Sequence, residues 1–173
     1  YNMARHYYSQ ALMIFSFVSA PMWTAYTKAY VREDFTWIKS ITNKLLRIGV
    51  ALAVLIVIMF ILHRPVIRLW LRGKIELPIL LAIFMGLSIM LQIFVTPFSL
   101  FINGTGKIKL GMILSPIVIV LNIPLSILFA KPLGMGIAGV IAGTAVCNFA
   151  SLIVSSIQYN KIVNHKATGI WNQ

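Results

Sequence analysis

Apolar runs long enough to cross a bilayer alternate with short basic stretches along almost the whole chain: residues 10–29, 45–62, 78–102, 110–130 and 135–157. A hydrocarbon core about 30 Å thick takes roughly 20 helical residues to span. In lipid every backbone N–H and C=O must be paired within its own segment. The pattern therefore predicts an all-α, polytopic transmembrane bundle of five spans within a single membrane domain. Residues 28–47 differ, because Val31, Phe35, Ile38, Ile41 and Leu45 recur at three- and four-residue steps while Arg32, Lys39, Asn43 and Lys44 take the other face. That is the mark of an amphipathic segment lying along the interface. In the loop 64–78, Arg68, Arg72 and Lys74 alternate with Ile67, Leu69, Trp70 and Leu71, so it is expected to hug the headgroup layer. Residues 158–173 read as a polar tail.

Proline and polar positions add detail to the spans. Pro21 lies in the second half of the first span, Pro97 in the third, and Pro116 and Pro124 in the fourth. A missing amide and a ring clash at each predict a bend. Ser88, Gln92 and Thr96 repeat every four residues on one helical face, and such a stripe either hydrogen-bonds a neighbouring helix or lines a wet cavity. Asn122 and Asn148 pose the same pair of alternatives. Gly139 and Gly143 form a GxxxG step beside Ala138, Ala142 and Ala145, a close-packing face. Residues 103–109, with Gly104 and Gly106, form a tight polar turn between two spans.

Composition agrees with the membrane reading: 60% of residues are hydrophobic and 10% charged, with a mean hydropathy of +0.91. The formal charge of +12 comes from 15 basic and 3 acidic residues. Most Lys and Arg sit at span ends, where they meet lipid headgroups and set topology. With no hydrophilic domain to lie along a duplex, nucleic acid is not an expected partner. Lys28 to Arg47 carries five basic residues, the 107–109 turn two and the tail two, making nine on one side. Arg5, Arg64, Arg68, Arg72, Lys74 and Lys131 make six on the other. This bias predicts a cytoplasmic C-terminus and an external N-terminus. The chain opens at Tyr1 with no signal-peptide pattern, and an external start points to a fragment of a longer protein. Cys147 is the sole cysteine, and His6, His63 and His165 are scattered, so neither a disulfide nor a metal or other cofactor is expected. The three acidic residues all fall in loops, which argues against an embedded transferase needing carboxylate clusters or a catalytic His. No enzymatic activity is expected.

Several landmarks occur in order: Pro21-Met22-Trp23 ahead of an amphipathic stretch, Leu69-Trp70 with Gly73 before a long span, and Asn103-Gly104-Thr105-Gly106-Lys107. Asn122-Ile123-Pro124-Leu125 and Gly134-Met135-Gly136-Ile137-Ala138-Gly139-Val140 follow. With these the chain resembles the C-terminal part of the polysaccharide flippases, the Wzx-type O-antigen and teichoic-acid exporters of the multidrug/oligosaccharidyl-lipid/polysaccharide superfamily. The resemblance implies most of the C-terminal lobe of a transporter with two lobes of six helices each, the missing N-terminal half being its partner. It further implies a bacterial cytoplasmic membrane location and movement of an undecaprenyl-pyrophosphate-linked oligosaccharide between leaflets by alternating access. An anionic, sugar-bearing head group needs a cationic, polar cavity, for which Arg5, His6, Gln92, Asn122 and Asn148 are the candidates. Arg5 serves equally as an interfacial anchor. A multidrug exporter of the same superfamily and a small non-catalytic membrane subunit are the alternative readings.

Overall fold

The computed structural model describes residues 2–63 and 78–173, and these residues form helices and turns without a strand. The helices are α1 (Asn2–Ser19), α2 (Met22–Val31), α3 (Phe35–Ile61), α4 (Ile79–Thr105), α5 (Lys109–Ala130), α6 (Ile137–Val163) and a short 3-10 turn, η1 (Gly169–Asn172). Four of them, α3 to α6, are long and apolar enough to cross a membrane. The protein is thus an all-α, multi-pass membrane protein. The expected headgroup loop falls on residues 64–77, outside the described residues.

The first expected span divides into two helices. Pro21 has no amide hydrogen to return to the preceding turn, so α1 stops at Ser19 and α2 starts afresh at Met22. Its polar residues, among them Arg5, His6, Ser9 and Gln10, keep α1 below the apolarity of the other four. The stretch 28–47, expected to form a separate interfacial helix, also divides. Residues 32–34 break the chain, Asp34 accepts a hydrogen bond from the Trp37 amide at 2.9 Å, and this cap launches α3 through both the amphipathic stretch and the second span. The continuity has a packing cause: Ile38, Thr42, Leu45, Gly49, Leu52 and Ile56 form one buried stripe from end to end.

α4 is the centre of the bundle. Gly49 and Gly86 pack α3 antiparallel to α4 through Ile93 and Ile56 respectively, while Tyr8 of α1 lies against Gly86. Thr27 of α2 donates to the Gly104 carbonyl at 2.9 Å, so α1 and α2 together run parallel to α4. On the opposite flank, α6 also runs parallel to α4, joined by Asn148 to Ser88 near the middle and by Phe98 and Phe101 to Tyr159 further on. α5 returns antiparallel and packs on α6 and η1. Gly106 ends α4 with φ +73°, a left-handed cap that glycine adopts without strain.

The α5–α6 contact is backbone on backbone. A Cβ at Gly139 would stand 2.5 Å from the Ala130 nitrogen and the Phe129 carbonyl carbon, and one at Gly143 would stand 2.8 Å from Ser126 Oγ. The helices touch because both positions lack a side chain. α5 and α4 continue as helices through Pro116, Pro124 and Pro97.

The chain end is more ordered than a polar tail suggests. α6 extends to Val163, with Gln158, Tyr159, Ile162 and Val163 buried. Residues 164–173 then fold back, and the Lys109 amide donates to the Gln173 carbonyl at 3.1 Å. As a result the turn 106–108, the starts of α3 and α5, and the end of α6 share one pole of the bundle. Lys107, Lys109, Lys161 and Lys166 lie at this pole, with Lys28, Arg32 and Lys39 alongside.

An aromatic nest closes this pole. Tyr26, buried, meets Phe101 edge-on with ring centres 5.6 Å apart, and its hydroxyl shares a 2.8 Å hydrogen bond with Thr42 Oγ1. Thr42→Val should leave the Tyr26 hydroxyl buried and unpaired, at a cost of about 1–3 kcal/mol. Thermal unfolding in detergent checks this, and adding Tyr26→Phe to the valine variant should recover part of the loss.

Candidate functional site

Because α4 and α5 both lean on α6 but scarcely touch one another, they leave a groove with α6 as its floor. Its volume is about 700 Å³. Gln92, Ser99 and Asn103 come from α4, Ser115 from α5, and Asn148, Ser151, Ser155 and Gln158 from α6. These follow helical geometry, since Gln92, Ser99 and Asn103 are seven and then four residues apart, and Asn148, Ser151, Ser155 and Gln158 three, four and three. Each set holds one face. Ile102, Leu110, Leu114, Val118 and Val154 fill the spaces between them.

The polar groups differ in what they already do. Asn148 Nδ2 donates to the Ser88 carbonyl at 3.3 Å and to Ser88 Oγ at 3.2 Å, so one end of its amide ties α6 to α4 while the residue borders the groove. Gln158, buried, donates to the Lys107 carbonyl at 3.0 Å and fixes the turn at the groove's basic end. Ser115 and Ser151 donate to the carbonyls of Gly111 and Cys147, four residues back, at 2.7 Å and 2.9 Å. Their oxygens keep lone pairs for an incoming donor. The Gln92 amide, exposed in the groove wall, is not engaged by any described residue. The groove thus presents amide donors and hydroxyl acceptors. Its described lining holds no titratable side chain, which makes its polarity independent of pH.

The sequence-predicted residues separate. Gln92 and Asn148 line the groove together. Asn122 faces elsewhere: its Oδ1 accepts from Ser126 Oγ at 2.9 Å, and that oxygen also lies 3.4 Å from the Val140 carbonyl, so it supports the α5–α6 contact. Arg5 and His6 are exposed in the first turns of α1 and do not line the groove. The three-residue stripe also divides, because a step of four residues turns about 40° beyond a full circle. Ser88 is buried against Asn148, Gln92 opens into the groove, and Thr96 donates back to the Gln92 carbonyl. Ser99, Asn103, Ser115, Ser151, Ser155 and Gln158 were missed as site residues. Their common helical faces were the signal that would have found them.

Cys147, buried, sits with its thiol 3.7 Å from the Val118 carbonyl. His63 stacks on Phe60 and His165 meets Phe35 edge-on. Among the described residues no cluster of His, Cys, Asp or Glu is arranged to hold a metal ion. Fold and site together define a multi-pass helical membrane protein with an uncharged polar groove among its apolar helices. No protein-family profile, curated protein or solved structure matches the chain.

Proposed function

We propose that this chain is part of a membrane transporter that carries a lipid-linked oligosaccharide between leaflets by alternating access, as its resemblance to the polysaccharide flippases implies. The observation that carries the reading is the groove of Gln92, Ser99, Asn103, Asn148, Ser151 and Ser155 among apolar helices. Sugar hydroxyls each donate and accept, and crossing hydrocarbon without partners costs several kcal/mol per group. Amides and hydroxyls set into a spanning bundle replace water for such a cargo. Its lipid tail stays in the bilayer, outside the α4–α5 opening.

The groove wall also suits a moving part. α5 packs on α6 and η1, and none of the residues in its most apolar stretch is buried. Pro116 and Pro124 remove the amides that would otherwise pair with the carbonyls of Met112 and Val120. A helix freed in this way bends at low cost.

The bacterial cytoplasmic membrane is the compartment this reading requires, with the basic pole on the cytoplasmic face. Deleting the gene in its host should abolish a surface polysaccharide and leave its lipid-linked precursor in the inner leaflet. Unchanged surface polysaccharide, with no precursor build-up, would overturn the assignment.

A further inference from the structure

Three lysines, one in the 106–108 turn, one at the start of α5 and one in α6, converge on residues 171–173, the end of η1 and the residue after it. Lys161 Nζ stands 3.9 Å from the centre of the Trp171 ring, Lys107 Nζ donates to Asn172 Oδ1, and Lys109 Nζ donates to Gln173 Oε1 at 2.6 Å. A 3-10 segment rises about 2 Å per residue, so these groups gather along roughly one turn. Every partner is neutral. An amide oxygen or an indole face orients an ammonium but leaves its charge uncompensated. The chain has only 3 acidic residues, and none of them contacts these lysines among the described residues.

The cluster is built rather than incidental. Gln158, 2% exposed, anchors the Lys107 backbone at 3.0 Å. The Lys107 ammonium is also 5.1 Å from the Tyr30 ring centre, and the Lys109 amide is tied to the Gln173 carbonyl. Four elements therefore hold three positive charges together despite their mutual repulsion. Asn103 and Gln158, on either side of this turn, also line the groove, so the charges stand at the groove's end.

We propose that Lys107, Lys109 and Lys161 form a phosphate-binding site that takes the phosphate of a membrane lipid head group at the basic end of the groove. A phosphate offers several strong acceptor oxygens and compensates the charge that amides leave standing. Lysines suit it as mobile point charges. In the transport reading, this site holds the phosphate end of the cargo while the groove receives its sugars; it rests on that reading only for the cargo's identity.

The test is binding, kept separate from transport. The purified full-length protein is reconstituted in nanodiscs of phosphatidylcholine, titrated with phosphatidylglycerol in one arm and inorganic pyrophosphate in another, and retained ligand is read by native mass spectrometry. Each lysine near the surface contributes about a fivefold attraction for anionic phosphate, so Lys107→Gln, Lys109→Gln and Lys161→Gln combined should weaken retention on the order of 100-fold. Lys131→Gln, at the other pole, should leave it unchanged. Retention of phosphatidylglycerol alone identifies the bilayer lipid as the source. Competition by pyrophosphate would show that the phosphate itself is read, which the site also predicts. Should the triple variant fail to fold, Asn172→Asp offers a second test, because a carboxylate beside Lys107 should displace phosphate and weaken retention about fivefold. Equal retention by the wild type and the lysine or aspartate variant would overturn the site, and so would an equal loss in Lys131→Gln. Either result leaves the gene-deletion phenotype, and with it the transport reading, unaffected.

Discussion

Gly139→Ala should lower the stability of the folded protein by about 3 kcal/mol, the upper part of the range for overpacked contacts. Its Cβ would enter space held by the Ala130 nitrogen and the Phe129 carbonyl group, all within 2.7 Å. These are backbone atoms, which cannot swing aside as a flexible side chain would. The two helices would have to part, and the Ser126 contact at Gly143 would open with them. Gly111→Ala is the matched control, because a Cβ there meets nothing within 4 Å, and alanine favours a helix over glycine by roughly 1 kcal/mol. Thermal unfolding of both variants in one detergent gives the comparison. Equal midpoints would refute close approach at Gly139. Because α5 is one wall of the groove, the Gly139 variant should also lose transport, whereas the Gly111 variant keeps its fold.

Gln92→Leu should slow transport roughly tenfold while leaving abundance and unfolding temperature unchanged. The side chain opens into the groove and its amide is not committed to another described residue, so leucine removes no internal contact. A hydrogen bond to cargo contributes about 0.5–1.5 kcal/mol, up to a tenfold change in rate when it forms in the barrier state. A surface substitution without contacts shifts stability by less than about 0.5 kcal/mol. Asn148→Leu is the informative contrast. It breaks the tie to Ser88, a class of interhelical bond worth about 0.6 kcal/mol on average in membranes, so both stability and rate should fall. Rates come from flipping of a fluorescent lipid-linked sugar in vesicles. Undiminished flipping by Gln92→Leu at normal abundance would remove the groove from the transport path.

The broad architecture was legible because hydrocarbon is a severe selector: only helices satisfy the backbone there. The span limits of α4 and α5 could be read within a few residues from apolar runs alone. Helix continuity across Lys44 to Arg47 could not. The charges suggested a boundary, yet the buried stripe from Ile38 to Ile56 runs through it on the other face. Likewise, the polarity of residues 158–173 concealed a face of Tyr159, Ile162 and Val163 that continues the core. In the site, single amides were visible as unusual residues in apolar surroundings. The groove's serines do not stand out singly, because only three adjoining helix faces together make them a lining. Arg5 and His6 stood out by charge, but the antiparallel course of α5 gathers the groove elsewhere.

In the transport reading, the back-bonded serines bear on how firmly a cargo would be held. Ser115 and Ser151 spend their hydroxyl hydrogens on their own helices, so these two hydroxyls need no outside acceptor. A sugar arriving there gains acceptors and a few amides, with little frustration to relieve. Such a surface favours modest affinity and quick departure. A receptor or storage protein would be poorly served by that balance, but a carrier that must surrender its passenger on the far side depends on it.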